Sequence, residues 1–481
     1  QLMSALASPL ALLFNAFMSV GRVPLDWKSA FITPLFKKGV SSDPSNYRPV
    51  SLTSIFSKLM ERVIVLELLT YLPQHNLISK QQHGFLSGKS TATNILETLN
   101  DWTLNIDNSA SQTVAYVDFA KAFDSVTTSK MAAKLSGYGI SGCLHMWLID
   151  FLSGRTHQTR VGSSVSDVAD IKSGVIQGSC LGPILFLLYI NDIVDIFPEK
   201  VSIKLYADDV KLYSNVCTNT VTDNNTLQDQ MNKLSRWAMD WQLPISYKKC
   251  CVLTVGNVRK ENSFVFSLDG HIVNSVCTVT DLGVTVDGKL KFSTHVDRIV
   301  RKGHGRASLI IKCFESKHIA SLVLAFNLYV RPILEYCSVA WNPSLLKDIN
   351  ALESVQRRFT KRLPGLTNLT YYQRLKALGM ESLELRRLRC DLLFVYKLLF
   401  GIVKMDLSDF FIPNFNGNLR GHAFKLKLPP CRVNARFNFF SYRVINPWNA
   451  LPLQTDFSSF SAFEQSLSGN FLVQYCKLNF R

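Results

Sequence analysis

Nowhere in the 481 residues does a Cys-x-x-Cys pair occur, although the chain holds 11 cysteines. They are scattered and odd in number, and the only adjacent two are Cys250 and Cys251. This spacing argues against both a zinc knuckle and a disulfide framework and predicts a reducing compartment. His422 and Cys431 are too isolated to make a metal site. Charge is missing from the first 21 residues, yet they show neither a basic leader nor a small-residue cleavage site. Ser4, Ser8, Asn15 and Ser19 fall on one narrow helical stripe. That pattern predicts a packed helix of a soluble fold, with Pro9 kinking it or delaying its start. A second charge-free stretch, residues 174–190, contains three glycines, a proline and a glutamine, so it predicts no membrane span either. The chain opens on Gln rather than Met, and a fragment or a trimmed N-terminus is expected.

An acidic excess is also lacking. Net charge is +17, which points to a polyanionic partner. Residues 1–290 hold 25 Lys/Arg against 24 Asp/Glu, whereas residues 291–481 hold 28 against 12. The C-terminal part is therefore expected to grip a nucleic-acid backbone through phosphate contacts. With 47% hydrophobic content the chain can bury a large core and should divide into two or three domains.

Among the acids that are present, Tyr206-Ala207-Asp208-Asp209 interrupts two strand-like runs. Val201, Ile203, Leu205 and Ala207 alternate with Ser202, Lys204 and Tyr206, and Val210-Lys211-Leu212-Tyr213 follows, which sets two adjacent acids at a hairpin tip. Alone, Asp-Asp is ordinary turn chemistry. Upstream, however, the β-branched and aromatic run Thr113–Val117 ends at Asp118. Between the two acidic strands lies the Gly-rich loop Ser173-Gly174-Val175-Ile176-Gln177-Gly178-Ser179, followed by Gly182-Pro183 and an apolar helix. Carboxylates brought together at strand ends make sense where hard divalent cations neutralise them, as in two-metal phosphoryl or nucleotidyl transfer.

In this order the motifs resemble the reverse transcriptase of a LINE-type (non-LTR) retrotransposon of the jockey-like kind. The resemblance is carried by Asn46-Tyr47-Arg48-Pro49-Val50-Ser51-Leu52, Gln82-His83-Gly84-Phe85, Asp118-Phe119 with Phe123-Asp124, and Gln177-Gly178-Ser179 with Leu181-Gly182-Pro183. It continues through Tyr206-Ala207-Asp208-Asp209, Asp281-Leu282-Gly283-Val284, Trp341-Asn342-Pro343 and Trp448-Asn449-Ala450-Leu451-Pro452, nearly the whole chain. It implies an α+β right-hand polymerase: fingers over residues 1–110, palm with an antiparallel sheet over 111–290, helical thumb over 291–370 and a basic C-terminal extension over 371–481.

The same resemblance implies a site. Asp118 and Asp208 would bridge two Mg²⁺ ions, with Mn²⁺ as a substitute, helped by the Phe119 carbonyl and more weakly by Asp209. Arg48, with Lys37 or Lys38, would grip the β- and γ-phosphates, Arg48 having the planar fork suited to them. Phe123 would crowd the sugar 2′ position and exclude ribonucleotides. Gln177 and Gly178 would pack against nucleotide and template. Lys249, or its neighbour Lys248, would stabilise the leaving pyrophosphate, although Ser246 stands where the family usually has Asn. Asp124 would cap the helix that follows or hold an Arg.

The implied partners are an RNA template, a DNA primer or target and dNTPs, with no membrane. An endonuclease domain is absent from this stretch, and action in the nucleus or a cytoplasmic ribonucleoprotein follows from the resemblance alone. Two other readings stand beside it: a decayed, non-catalytic nucleic-acid-binding remnant, and an RNA-dependent RNA polymerase. Phe123 and Gln177-Gly178 speak against the second.

Overall fold

A computed structural model describes residues 2–198, 201–214, 221–256, 264–414, 421–468 and 470–478. Helix α1 (Leu2–Val20) runs unbroken through Pro9. Its packing departs from expectation. Phe14 and Phe17 meet Trp27 edge-on, but Leu6, Leu12, Leu13 and Val20 are exposed. Only one narrow apolar face is covered, by Trp27 and by helix α6 below, which lies alongside it. Among the described residues no helix is long and apolar enough to cross a membrane.

After the short turn α2 (Leu25–Lys28), strands β1 (Ser29–Phe36) and β2 (Tyr47–Leu52) form a hairpin. Helices α3 (Ile55–Gln74) and α4 (Thr91–Asp107) lead to β3 (Gln112–Val117). Next come α5 (Thr128–Gly137), α6 (Gly142–Leu152), β4 (Arg155–Val161), β5 (Ser164–Val165) and β6 (Ala169–Ile171). The first sheet has the order β2-β1-β4-β5, with β6 also on β4. Its β1–β4 pair is parallel, so residues 155–171 join a sheet begun more than a hundred residues earlier, and no single cut at residue 110 separates the two sheets.

Helix α7 (Gly182–Ile190) is buried almost throughout and precedes the hairpin β7 (Val201–Tyr206) and β8 (Asp209–Ser214). Helix α8 (Val221–Asp240) packs Leu227, Met231, Leu234, Trp237 and Ala238 into the core, as their helical spacing predicts. Strands β9 (Cys251–Val255), β10 (Phe266–Leu268) and β11 (His271–Val276) complete a six-stranded sheet of order β10-β11-β9-β3-β8-β7. All its pairings are antiparallel except β11 with β9. A separate hairpin of β12 (Thr278–Asp281) and β13 (Val284–Asp287) follows.

The rest is mainly helical: α9 (Ser293–Cys313), α10 (Ile319–Tyr329), α11 (Arg331–Glu335), α12 (Ser338–Trp341), α13 (Leu346–Lys361), α14 (Tyr371–Leu378) and α15 (Leu383–Leu399). The last stretch carries α16 (Leu407–Phe410), the pair β14 (Ile412–Pro413) and β15 (Leu426–Lys427), then α17 (Asn434–Phe437), α18 (Phe440–Arg443), α19 (Ile445–Asn449) and α20 (Phe460–Ser466). Two hydrophobic cores result. One lies under the six-stranded sheet on the side of α3, α7 and α8. The other joins α4 and the sheet's opposite face to helices α9–α16 and α18–α20, without a break near residue 370.

The tryptophan motifs are structural. Asn342 Oδ1 accepts from Arg387 Nε at 3.1 Å while its amide donates to Asp391 at 2.9 Å. Asn449 exchanges two bonds with the Leu426 backbone, as a strand partner would. His422 bonds the Trp448 carbonyl and Cys431 meets Asp107, and the described cysteines are all free thiols.

Candidate active site

The register of β3 against β8 pairs Val117 with Val210. The next residue outward on each strand is an acid, Asp118 on one side and Asp209 on the other. The last pair of the β7–β8 hairpin is Tyr206 with Asp209, leaving Ala207-Asp208 as a two-residue turn. Ala207 takes φ +54°, a conformation that such turns usually give to glycine. Three carboxylates 90 residues apart in sequence thus reach one end of the central strands.

Their charges feel one another. Burial raises the Asp208 carboxyl above its ordinary value and Asp118 adds to the rise, whereas Asp208's own backbone N–H, Lys37 and Lys249 oppose it. Asp209 keeps a solvent-exposed edge, yet the crowded cleft desolvates it, and Asp208, Asp118 and Asp281 help push it up to about 6. Lys249 Nζ lies 2.8 Å from Asp118 Oδ1 at a half-exposed position. Lys248 has no such bond to the acids, so the geometry favours Lys249, the preferred of two lysines between which the sequence left the choice open.

These groups suit a hard divalent cation: carboxylate oxygens, mutual repulsion and a shortage of positive charge. The Phe119–Ile245 bridge uses Ala120 N–H and Ser246 N–H as donors, so Phe119's carbonyl takes no bond in it. Among the described residues, no three His, Cys, Asp or Glu side chains close round a single point. The acids converge without forming a finished cage.

The Gly-rich loop is held from three sides. Gln177 Nε2 donates to Asp124 Oδ1 at 2.7 Å, which gives Asp124 its place. Gln177's carbonyl accepts from Ser51 N–H at 2.7 Å, and Gly178 sits at φ +113° where a Cβ would collide with the Ser51 carbonyl. Buried Glu61 accepts from Cys180 N–H and Leu181 N–H at the start of α7. Phe123 stacks on Phe186, ring centres 4.3 Å apart, with Phe85 edge-on to it.

On the first sheet, Leu35 pairs with Arg48, and Lys37 N–H continues the ladder to Asn46. Strand alternation then sets Lys37 and Arg48 on one face and Lys38 on the other. Lys37 is the one whose charge reaches Asp208. All three are exposed.

Sequence reasoning gave no role to Gln82-His83-Gly84, which grips the β7–β8 hairpin. Gln82 Oε1 accepts from Gly84 N–H at 2.8 Å and from Ala207 N–H at 2.9 Å. His83 N–H donates to the Leu205 carbonyl, and Leu205 N–H to Gln81. A Cβ on Gly84 would stand 2.5 Å from Ala207 N. Behind this clamp, the Glu97 carboxylate joins His83 at 3.2 Å and Lys204 at 2.7 Å. Burial alone would raise its pKa, but the two partners outweigh that and hold it down to about 2. Asp281 was also passed over; it forms a buried 2.8 Å pair with Lys211, two residues beyond Asp209.

Acids at the tips of the central strands of an antiparallel sheet, a Gly-rich loop beside them, a basic hairpin above and a helical domain beyond define a right-hand nucleic-acid polymerase. More narrowly, the chain belongs to the family described as reverse transcriptase (RNA-dependent DNA polymerase), whose model matches residues 36–286. Enzymes of this family generally use divalent metal ions. The chain is 28% identical over 366 residues to the RNA-directed DNA polymerase from mobile element jockey of Drosophila melanogaster, covering 74% of this chain and 40% of that one. It is also 28% identical to the probable RNA-directed DNA polymerase from transposon BS of the same fly, over 76% of this chain and 41% of that one. The chain thus spans about two fifths of these relatives. Among solved structures it is similar to apo telomerase from Candida Tropicalis, with TM-score 0.44 and 13% identity over 83% of this chain and 66% of that one.

Proposed function

We propose that this chain extends a DNA 3′-hydroxyl along an RNA template, as the polymerase part of a jockey-like non-LTR retrotransposon protein. The observation that carries the reading is the convergence of Asp118 and Asp208-Asp209 at the ends of β3, β7 and β8, flanked by Lys249 and Lys37. We read residues 1–110 together with 155–171 as fingers, 111–290 otherwise as palm, 291–370 as thumb and 371–481 as a basic extension.

Asp118 and Asp208, with the Phe119 carbonyl, would hold two Mg²⁺ ions, or Mn²⁺ in their place, with Asp209 in support. When bound, the ions supply an acidified primer hydroxyl and charge neutralisation at the triphosphate. The chain's own residues do the rest. Arg48 and Lys37 take the outer phosphates, where negative charge grows during transfer. Lys249 lies within reach of Asp118 and can turn its ammonium toward the departing pyrophosphate, to neutralise its charge or give it a proton. Phe123, fixed by its stack on Phe186, blocks a ribose 2′-hydroxyl. Asp124 holds Gln177, so that Gly178 meets the nucleotide in a set position. We assign its work to the nucleus or a cytoplasmic ribonucleoprotein.

Primer extension on poly(rA)/oligo(dT) with Mg²⁺ tests this. Wild type incorporates dTTP, folded Asp208→Ala does not, and Phe123→Ala gains UTP incorporation. Extension by Asp208→Ala would sink the assignment.

A further inference from the structure

The residue after Gly84 bears a cost that its surroundings do not explain. Phe85 takes φ +56°, a left-handed conformation unfavourable for a residue with a side chain. The residue is 48% exposed, so burial does not offset the strain. Nor is the loop free to relax. Gln82 Oε1 ties Gly84 N–H to Ala207 N–H, and Gly84 presses on Ala207 too closely for any Cβ. The clamp therefore sets the backbone just before Phe85 beside the turn that carries Asp208. The Phe85 ring meets Phe123 edge-on, centroids 6.4 Å apart and planes at 79°. Phe186 already covers a face of Phe123, so Phe85 is not needed to pack it.

Building on the polymerase reading above, we propose that Phe85 is a packing platform for the primer's 3′-terminal nucleoside. Lys37 and Arg48 mark the triphosphate end of the site. Phe85 comes instead on the loop gripping Ala207, the residue before Asp208. A 3′-hydroxyl has to lie there to come within reach of Asp118 and Asp208. An aromatic ring accepts any base or sugar face, so such a contact serves every template sequence. Strain held at this point keeps the ring raised into the cleft when no primer is bound.

The test places 2-aminopurine at the 3′ end of a DNA primer annealed to RNA. It is titrated with wild type, Phe85→Ala and Phe85→Tyr, each also in the Asp208→Ala background. Wild type and Phe85→Tyr should change the terminal fluorescence on binding, and Phe85→Ala should not. Phe85→Ala should also raise the primer–template Kd roughly tenfold, the scale of one lost base–aromatic contact, and leave the KM for dTTP unchanged. Phe85→Gly should melt no lower than wild type, because glycine accepts the positive φ. The platform is overturned if Phe85→Ala reports and binds like wild type, or if only the KM for dTTP rises. A Phe85-dependent signal from a wild type that cannot extend would uphold the platform while refuting the polymerase reading.

Discussion

At the residue scale the Ala207-Asp208-Asp209 turn is assembled against its own electrostatics. Folding lifts Asp209 from 3.8 to about 6, through burial first and then through neighbouring carboxylates. The folded protein thus holds that proton more tightly than the unfolded chain, and stability falls as pH rises through this interval. Asp209→Asn should then melt higher than wild type at pH 7.5 without divalent cation, and the gain should vanish near pH 4. Mg²⁺ should raise the melting temperature of wild type at pH 7.5 but not of Asp208→Asn. Calorimetry across pH checks both, and an Asp209→Asn variant that melts lower at pH 7.5 would contradict the account. The acids themselves were legible in the sequence, because strand alternation brackets them on both sides. The Lys249 choice was not. A short helical turn decides which of two adjacent lysines faces Asp118, and side-chain period does not report on that.

At the element scale, the hairpin tip depends on a clamp with no periodic signature. Gln82 and Ala207 are 125 residues apart and meet through a side-chain oxygen, so nothing local in Gln82-His83-Gly84 announces the contact. Replacing Gln82 by Leu leaves two buried backbone N–H groups unpaired, at about 1–3 kcal/mol each. A lowered melting temperature and a lower kcat, with little change in KM for dTTP, are expected from circular dichroism and steady-state extension. Gly84→Ala should act in the same direction, through collision rather than a lost bond. A further limit of sequence patterning is α1. Its uncharged run promised a packed helix, but patterning counts apolar residues and not the neighbours available to cover them.

At the scale of the whole molecule, charge and core divide the chain differently. The basic half begins near residue 291, and α9 exposes Arg301, Lys302 and Arg306 along one stretch. Changing those three to Gln should weaken nucleic-acid binding at all sequences and shallow the salt dependence by about two to three in slope. The second core respects no such boundary. Ile95, Leu96, Leu99 and Trp102 of α4 share it with Phe440, Trp448 and Phe463. A chain cut at residue 400 should therefore lose cooperative unfolding from residue 291 onward rather than keep a separate thumb, which hydrogen exchange would reveal. Composition exposed the charge boundary but not this union, because long-range packing leaves no trace in local spacing.

Helix α4 joins the two ends of this arrangement. On one side it bonds the Leu205 carbonyl through Asn94 and accepts the Tyr213 hydroxyl on Asp101. On the other, Asn100 and Thr103 receive buried Arg436, and Asp107 caps the backbone of Arg432 and Val433. During synthesis the acids leave the ribosome long before Arg436 does. An interrupted translation product then carries Asp118, Asp208 and Asp209 beside a helix whose outer brace has not been made. A nascent chain stopped short of Arg436 should leave the outer face of α4 open to proteases, an exposure that these later elements close.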